Sequence, residues 1–314
     1  MKIRKAVYFF CADPSKDEVA TKVFEQSKIL FNLGEIELEV DGYPVLKYEQ
    51  ANGDTLFYVR TDLFICEDSK RYLHIINEHF GDCDLAVMVN WHGGQNAPDK
   101  VLCIHTVGDV PTANYSASDP QLSTNLVRAL EKHRQSLELH DFKVTTEATH
   151  WSGIVYGGEP SWITEYPVPF LDVEIGSTSE SYNNPAAIEV IVKALTEVFY
   201  ETTKYPTVLY IGGIHFEDTI TNAVLHETHP VSLTHILPSR WVETELYTGE
   251  NGMMYLMRCI NSIEGGIDGI AIHEKLRKDL RDAVTILADN IGIPVIKRKG
   301  LKSPENTILY TNNA

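Results

Sequence analysis

The sequence has no CxxC pair, no HExxH, no GK[ST], no GxGxxG and no GxSxG. These absences remove, in turn, a zinc finger, a zincin helix, a P-loop, a dinucleotide-binding turn and a nucleophile elbow. The five cysteines, Cys11, Cys66, Cys83, Cys103 and Cys259, are odd in number and scattered, so no disulfide framework follows. They suit a reducing, cytoplasmic setting. No apolar run approaches the roughly 20 residues that span a bilayer, which excludes a transmembrane helix. The N-terminal "MKIRKAVYFFCADPSKDEV" is too briefly apolar for a signal peptide and reads as a first buried strand. Positive charge is scarce: 27 Lys+Arg stand against 44 Asp+Glu, a net charge of −17. That balance disfavours indiscriminate binding to nucleic acid. The two basic clusters are "KRKGLK" (Lys297 to Lys302) and the group Lys275, Arg277, Lys278 and Arg281. Taken alone they read as a charged hairpin and a solvated helix face.

What is present is alternation. Apolar strand-like runs occur at Lys5–Cys11, Leu85–Trp91, Val101–His105, Phe142–Thr146, Pro169–Ile175, Thr207–Ile211, Leu233–Leu237, Ile293–Lys297 and Thr307–Tyr310. Helical stripes cover Asp17–Leu33 (with Gly34 as its stop), Ser69–Phe80, Pro120–Leu139, Pro185–Thr202, Phe216–Leu225 and Leu276–Ala288. The pattern predicts an α/β fold: a mixed, mostly parallel sheet with helices on both faces. Residues 34–66 read as a small β-rich meander near the N-terminus, either a subdomain or part of a single α/β unit spanning residues 1–314. A monomer is expected.

Four of the strand-like runs lead into a histidine: "LAVMVNWHGG" into His92, "VLCIHTVGD" into His105, "EATHWSG" into His150 and "VLYIGGIHFED" into His215. Ligands in open α/β sheets bind beyond the carboxyl ends of strands. We therefore expect His105, His150 and His215 to line one pocket at that edge, with Glu174 nearby. Imidazole with carboxylate is a common zinc set, and a catalytic zinc keeps a position open for water. Taken singly, each histidine also fits a hydrogen-bonded structural role. Gly212 and Gly213, between a strand and a helix, fit an anion cradle or close strand–helix packing. "EIGST" (Glu174 to Thr178) fits the same cradle or a capped helix entry.

The order of "NWHGGQNAPDKVLCIHTVGD", "TEATHWSG", "VPFLDVEIGSTSESYNNPAA", "VLYIGGIHFED" and "LTHILPSRW" resembles the D-aminoacyl-tRNA deacylase family of archaea and plants. The resemblance implies a phosphorylase/hydrolase-like α/β fold. It also implies hydrolysis of the ester between a D-amino acid and the terminal ribose of tRNA, with zinc as an associated metal. Carried residue by residue, it covers His92, His105, Glu147, Thr149, His150, Glu174, Gly176, Ser177, Thr178, Gly212, Gly213, His215 and His235. In this reading His150, His215 and Glu174 are catalytic. His92, Thr149, Gly212, Gly213, Ser177 and Thr178 bind substrate, and His105, His150 and His215 hold zinc. Trp151 and Trp162 are candidate walls of a chiral pocket.

The chain departs from the family pattern at the site. Trp151-Ser152-Gly153 replaces a second histidine, glycine and proline. Glu217 and Asp218 put negative charge where a phosphate would approach. Two readings follow: a D-aminoacyl-tRNA deacylase, or a diverged relative that is a non-tRNA metallohydrolase or a non-catalytic ligand-binding protein. If tRNA is the ligand, Lys297, Arg298, Lys299 and Lys302 should lie on the pocket's side.

Overall fold

A computed structural model describes residues 2–94 and 97–311. Fourteen strands are formed among these residues. They are β1 (Lys5–Cys11), β2 (Gly34–Val40), β3 (Tyr43–Glu49), β4 (Thr55–Thr61), β5 (Leu85–His92), β6 (Lys100–Thr106), β7 (Gly108–Asp109) and β8 (Asn114–Tyr115). They continue with β9 (Lys143–Thr146), β10 (Phe170–Ser177), β11 (Thr207–Ile211), β12 (Ser232–Leu237), β13 (Gly269–Ile272) and β14 (Val295–Lys297). Eight strands form a mixed sheet in the order β2-β3-β4-β1-β5-β10-β6-β9. Four more form a parallel sheet, β12-β11-β13-β14. β2 and β3 are antiparallel hairpin strands on one edge of the large sheet, and β4 pairs parallel with β1. No helix among the described residues is long and apolar enough to cross a membrane.

Strand alternation decides which face is oil and which is not. Leu85, Val87 and Val89 of β5, Leu102 and Ile104 of β6, and Leu171, Val173 and Ile175 of β10 share one buried apolar cluster. The helices Glu18–Phe31, Pro120–Ser136 and Pro185–Leu195 cover it with Val19, Val23, Leu126, Leu130, Ile188 and Ile191. Tyr210, Ile236 and Ala271 extend the same cluster under the small sheet. The opposite face of the large sheet holds a second cluster, with Phe9, Met88, Phe170 and Trp151. Along β5, β10 and β6 that second face turns polar.

Four expectations change. Thr307–Tyr310 is not a strand; Ile308–Thr311 is a short helix. "KRKGLK" is not a hairpin but the end of β14 running into a 3-10 turn, Arg298–Lys302. The Pro185 helix stops at Leu195, well before Thr202. The first helix ends at Asn32, whose φ of 48° takes the left-handed capping role expected of Gly34. The caps read in the sequence are present: Asp17 accepts from Val19 and Ala20, and Asn184 from Ala186 and Ala187.

Candidate active site

Residues Glu147–His150, which continue β9, join the two sheets. On one side Glu147 N–H donates to Ile104 O (2.9 Å) and Gly108 N–H to His150 O (3.2 Å). On the other, Ala148 N–H donates to His215 O (2.8 Å) and Thr149 N–H to Ile236 O (2.9 Å). The site therefore lies at the seam between sheets and not at one sheet's carboxyl edge. The reason is direction: β6 runs antiparallel to β10 while β5 runs parallel to it. Register then sets Glu174 opposite both Asn90 and Cys103, Asp172 opposite His105, and Gly176 opposite His92.

Glu147 is the hub. Its Oε1 lies 2.5 Å from His215 Nε2, 3.1 Å from His92 Nε2 and 4.0 Å from His150 Nε2. Its side chain is 1 % exposed. Burial works against its charge, but the surrounding histidines outweigh it and hold the carboxyl well below the usual range. His92 is closed off by Ser177 Oγ, 2.9 Å from its Nδ1. Burial opposes its protonation, yet the Glu147 contact leaves its pKa raised. His215, with 40 % of its side chain exposed, is the member that faces solvent.

Behind this hub lies a second group. The rings of His105 and His150 stack with centroids 3.8 Å apart. His105 Nε2 sits 3.4 Å from Asp172 Oδ2 and 3.6 Å from Glu174 Oε1. Burial pushes His105 down to about 4, and burial with the His105 charge does the same to His150. Both are neutral at neutral pH. Their Nδ1–H groups donate to Thr106 O and Ala148 O, so each Nε2 carries a lone pair. Burial, reinforced by Glu147, lifts Glu174 to about 7, and burial with Glu174 lifts Asp172 well above its ordinary value.

His105 Nε2, Asp172 Oδ1 and Glu147 Oε2 are buried without a hydrogen-bond partner among the described residues. Nor does any lysine or arginine there bond to these carboxylates. Buried carboxylate oxygens and a lone-pair imidazole of this kind are residues that could hold a divalent cation. Ligand atoms of His105, Asp172 and Glu174 lie within 4.8 Å of one another, as do those of Glu147, His150 and His215. The expected trio of His105, His150 and His215 does not converge on one point. Stacking turns the His105 and His150 nitrogens toward different carboxylates.

Other expected residues make contacts within the scaffold. Thr149 is fully buried; its hydroxyl accepts from Ile236 N–H (2.9 Å) and pairs with Thr106 Oγ1 (2.6 Å). Gly212 and Gly213 have φ of 106° and 76°, and Gly212 N–H is spent on Leu237 O (2.7 Å), which takes it from an anion cradle. A Cβ on Gly176 would meet His92 Cβ at 2.9 Å. Thr178 caps the short helix Ser179–Tyr182. Trp151 packs into the second apolar cluster. Glu217 and Asp218 do not face an open anion site: Glu217 pairs with Arg298 (3.1 Å) and Asp218 with Lys143. Asn90, Cys103 and Asp172 were not singled out from sequence. Their signal was there, as polar or thiol residues at period-2 positions in apolar strands.

His235 gives a stability test away from the ionic cluster. It is fully buried, bonded to Thr106 Oγ1 (2.8 Å) and Ser262 Oγ (3.0 Å), and burial holds it down to about 3. The unfolded chain takes up this proton near pH 6.5 while the folded chain resists until about 3. His235 thus contributes stability that is complete above pH 6.5 and lost as pH falls toward 3, on the order of 5 kcal/mol. Melting temperatures of wild type and His235→Gln should converge as pH drops from 7 to 4. Parallel curves would contradict this.

Comparison with known proteins places the chain among relatives of one description. A D-aminoacyl-tRNA deacylase from Pyrococcus abyssi is 26% identical over 292 residues, covering 90% of this chain and 96% of that protein. A D-aminoacyl-tRNA deacylase from Caldivirga maquilingensis is 29% identical over 231 residues, covering 69% and 77%. A crystal structure of a conserved protein of unknown function shares the fold, with a TM-score of 0.73 at 19% identity over 96% of this chain and 98% of that one. The family model described as D-aminoacyl-tRNA deacylase matches residues 79–296, which take in every residue of the seam site, and the chain belongs to that family.

Proposed function

We propose that this chain hydrolyses the ester linking a D-amino acid to the terminal ribose of tRNA. The observation that carries the chemistry is the buried, ionised Glu147 holding the half-exposed His215 at 2.5 Å. With Nε2–H donating to Glu147, His215 keeps a lone pair on Nδ1. That nitrogen takes a proton from water as the water oxygen bonds to the ester carbonyl carbon. The carbonyl π pair moves onto oxygen. On collapse the ester C–O bond breaks, and the ribose oxygen leaves with the proton returned by His215. His92, on the same Glu147 oxygen and braced by Ser177, fixes the direction of that carboxylate. The diverged-relative reading gains nothing from Glu217 and Asp218, since both carboxylates are paired.

Zinc fits the donor set of His105, Asp172 and Glu174, with His150 beside it. When bound, zinc would act as a Lewis acid and lower the pKa of a bound water. The buried cluster would then lose the penalty that its carboxylates otherwise carry. The test is zinc content by elemental analysis, beside release of D-tyrosine from D-tyrosyl-tRNA before and after chelation. Asp172→Asn should lower the zinc content of the purified protein at least about tenfold. Equal metal content in wild type and variant would remove zinc from this set. Absence of D-tyrosine release by the wild type, with and without zinc, would overturn the function.

A further inference from the structure

The small sheet is parallel throughout, so the segments following β11, β12, β13 and β14 all leave one edge. The first carries His215. The others carry Arg240, then Lys275, Arg277 and Lys278, then Arg298, Lys299 and Lys302, with Lys297 the last residue of β14. In a chain of net charge −17, this edge gathers cations beside the proposed site. The acidic groups nearest Arg298 and Arg277 are already engaged. Arg298 binds Glu217 (3.1 Å) and Glu274 (3.0 Å), and Arg277 binds Asp279 (2.7 Å) while its N–H donates to Glu243 (3.0 Å). Lys297, Lys299 and Lys302 are exposed, and none forms an ion pair among the described residues.

Arg298 also fixes where these lysines stand. Its partner Glu217 lies two residues past His215, accepts from Tyr210 Oη (3.2 Å), and presses so close that a Cβ on Gly213 would meet it at 2.8 Å. The basic segment is therefore braced against the turn that presents His215. A polyanion whose ester reaches His215 meets the exposed Lys297, Lys299 and Lys302 on this segment.

We propose that this edge is the docking surface for the acceptor end of tRNA, with Lys297, Lys299 and Lys302 contacting backbone phosphates. The proposal rests on the function above and adds where the nucleic acid lies.

The test compares D-tyrosyl-tRNA with D-tyrosyl-adenosine, which has the same ester and no phosphate backbone, on wild type and the triple variant K297Q/K299Q/K302Q. Expected for the variant is a loss on the order of 10–100-fold in kcat/KM on the tRNA, with a log–log salt slope shallower by about 2–3. Turnover of D-tyrosyl-adenosine and the melting temperature should hold. An unchanged kcat/KM and salt slope on the tRNA would overturn the surface. So would an equal loss on both esters. If wild type cleaves neither ester, the function fails, and binding of uncharged tRNA decides the surface separately. A shallower salt slope for the variant supports it, and an identical slope overturns it.

Discussion

Glu147→Gln is expected to lower single-turnover hydrolysis of D-tyrosyl-tRNA by about 10³–10⁴-fold, the scale seen when the acid behind a catalytic histidine is neutralised. Glu147 Oε1 is the shared acceptor of His92 and His215, and the carboxyl is held ionised against its burial by the histidines around it. An amide of the same shape removes the charge and offers an N–H where an acceptor is needed. It also leaves two imidazoles competing for one weaker acceptor. Charge-assisted hydrogen bonds of this kind contribute about 1.5–3 kcal/mol each, so a lowered melting temperature should accompany the lost turnover. Near-normal turnover in a folded Glu147→Gln protein would show that the hub is structural.

His215→Asn should separate chemistry from folding more cleanly. The side chain is 40 % exposed and sits at the outer edge of the seam, so its removal opens no core cavity. Turnover should fall about 10²–10⁴-fold while the melting temperature stays within a few degrees of wild type. The link to the neighbouring strand survives, because it is His215 O, a backbone atom, that accepts from Ala148 N–H. Lost stability with retained turnover per folded molecule would assign His215 to the scaffold.

Much of this was legible in the residues. Strand and helix periods placed β1, β5, β6, β10, β11 and β12 within a residue or two, and the four histidines following apolar runs do gather. Direction was not legible, because alternation looks the same in parallel and antiparallel strands. That is why the histidines were expected at a carboxyl edge and stand at a seam instead. Short elements escaped as well. β13 is four residues, Gly269–Ile272, between turns, and the helix Gly252–Asn261 begins on a glycine after Asn251, with no side-chain cap to mark its start. Roles were harder than places. Thr149 and Gly212 keep the family spacing, yet their polar groups are consumed by Ile236 and Leu237. Glu217 looked like misplaced charge until Arg298, 81 residues away, supplied its partner.

The chirality of the ester cleaved tests the proposed hydrolysis most directly. Purified wild-type chain in excess over D-tyrosyl-tRNA, with L-tyrosyl-tRNA run beside it, should release D-tyrosine in a single exponential while the L-ester decays only at the rate of buffer. Equal release of both, or decay of both at the buffer rate, would contradict it.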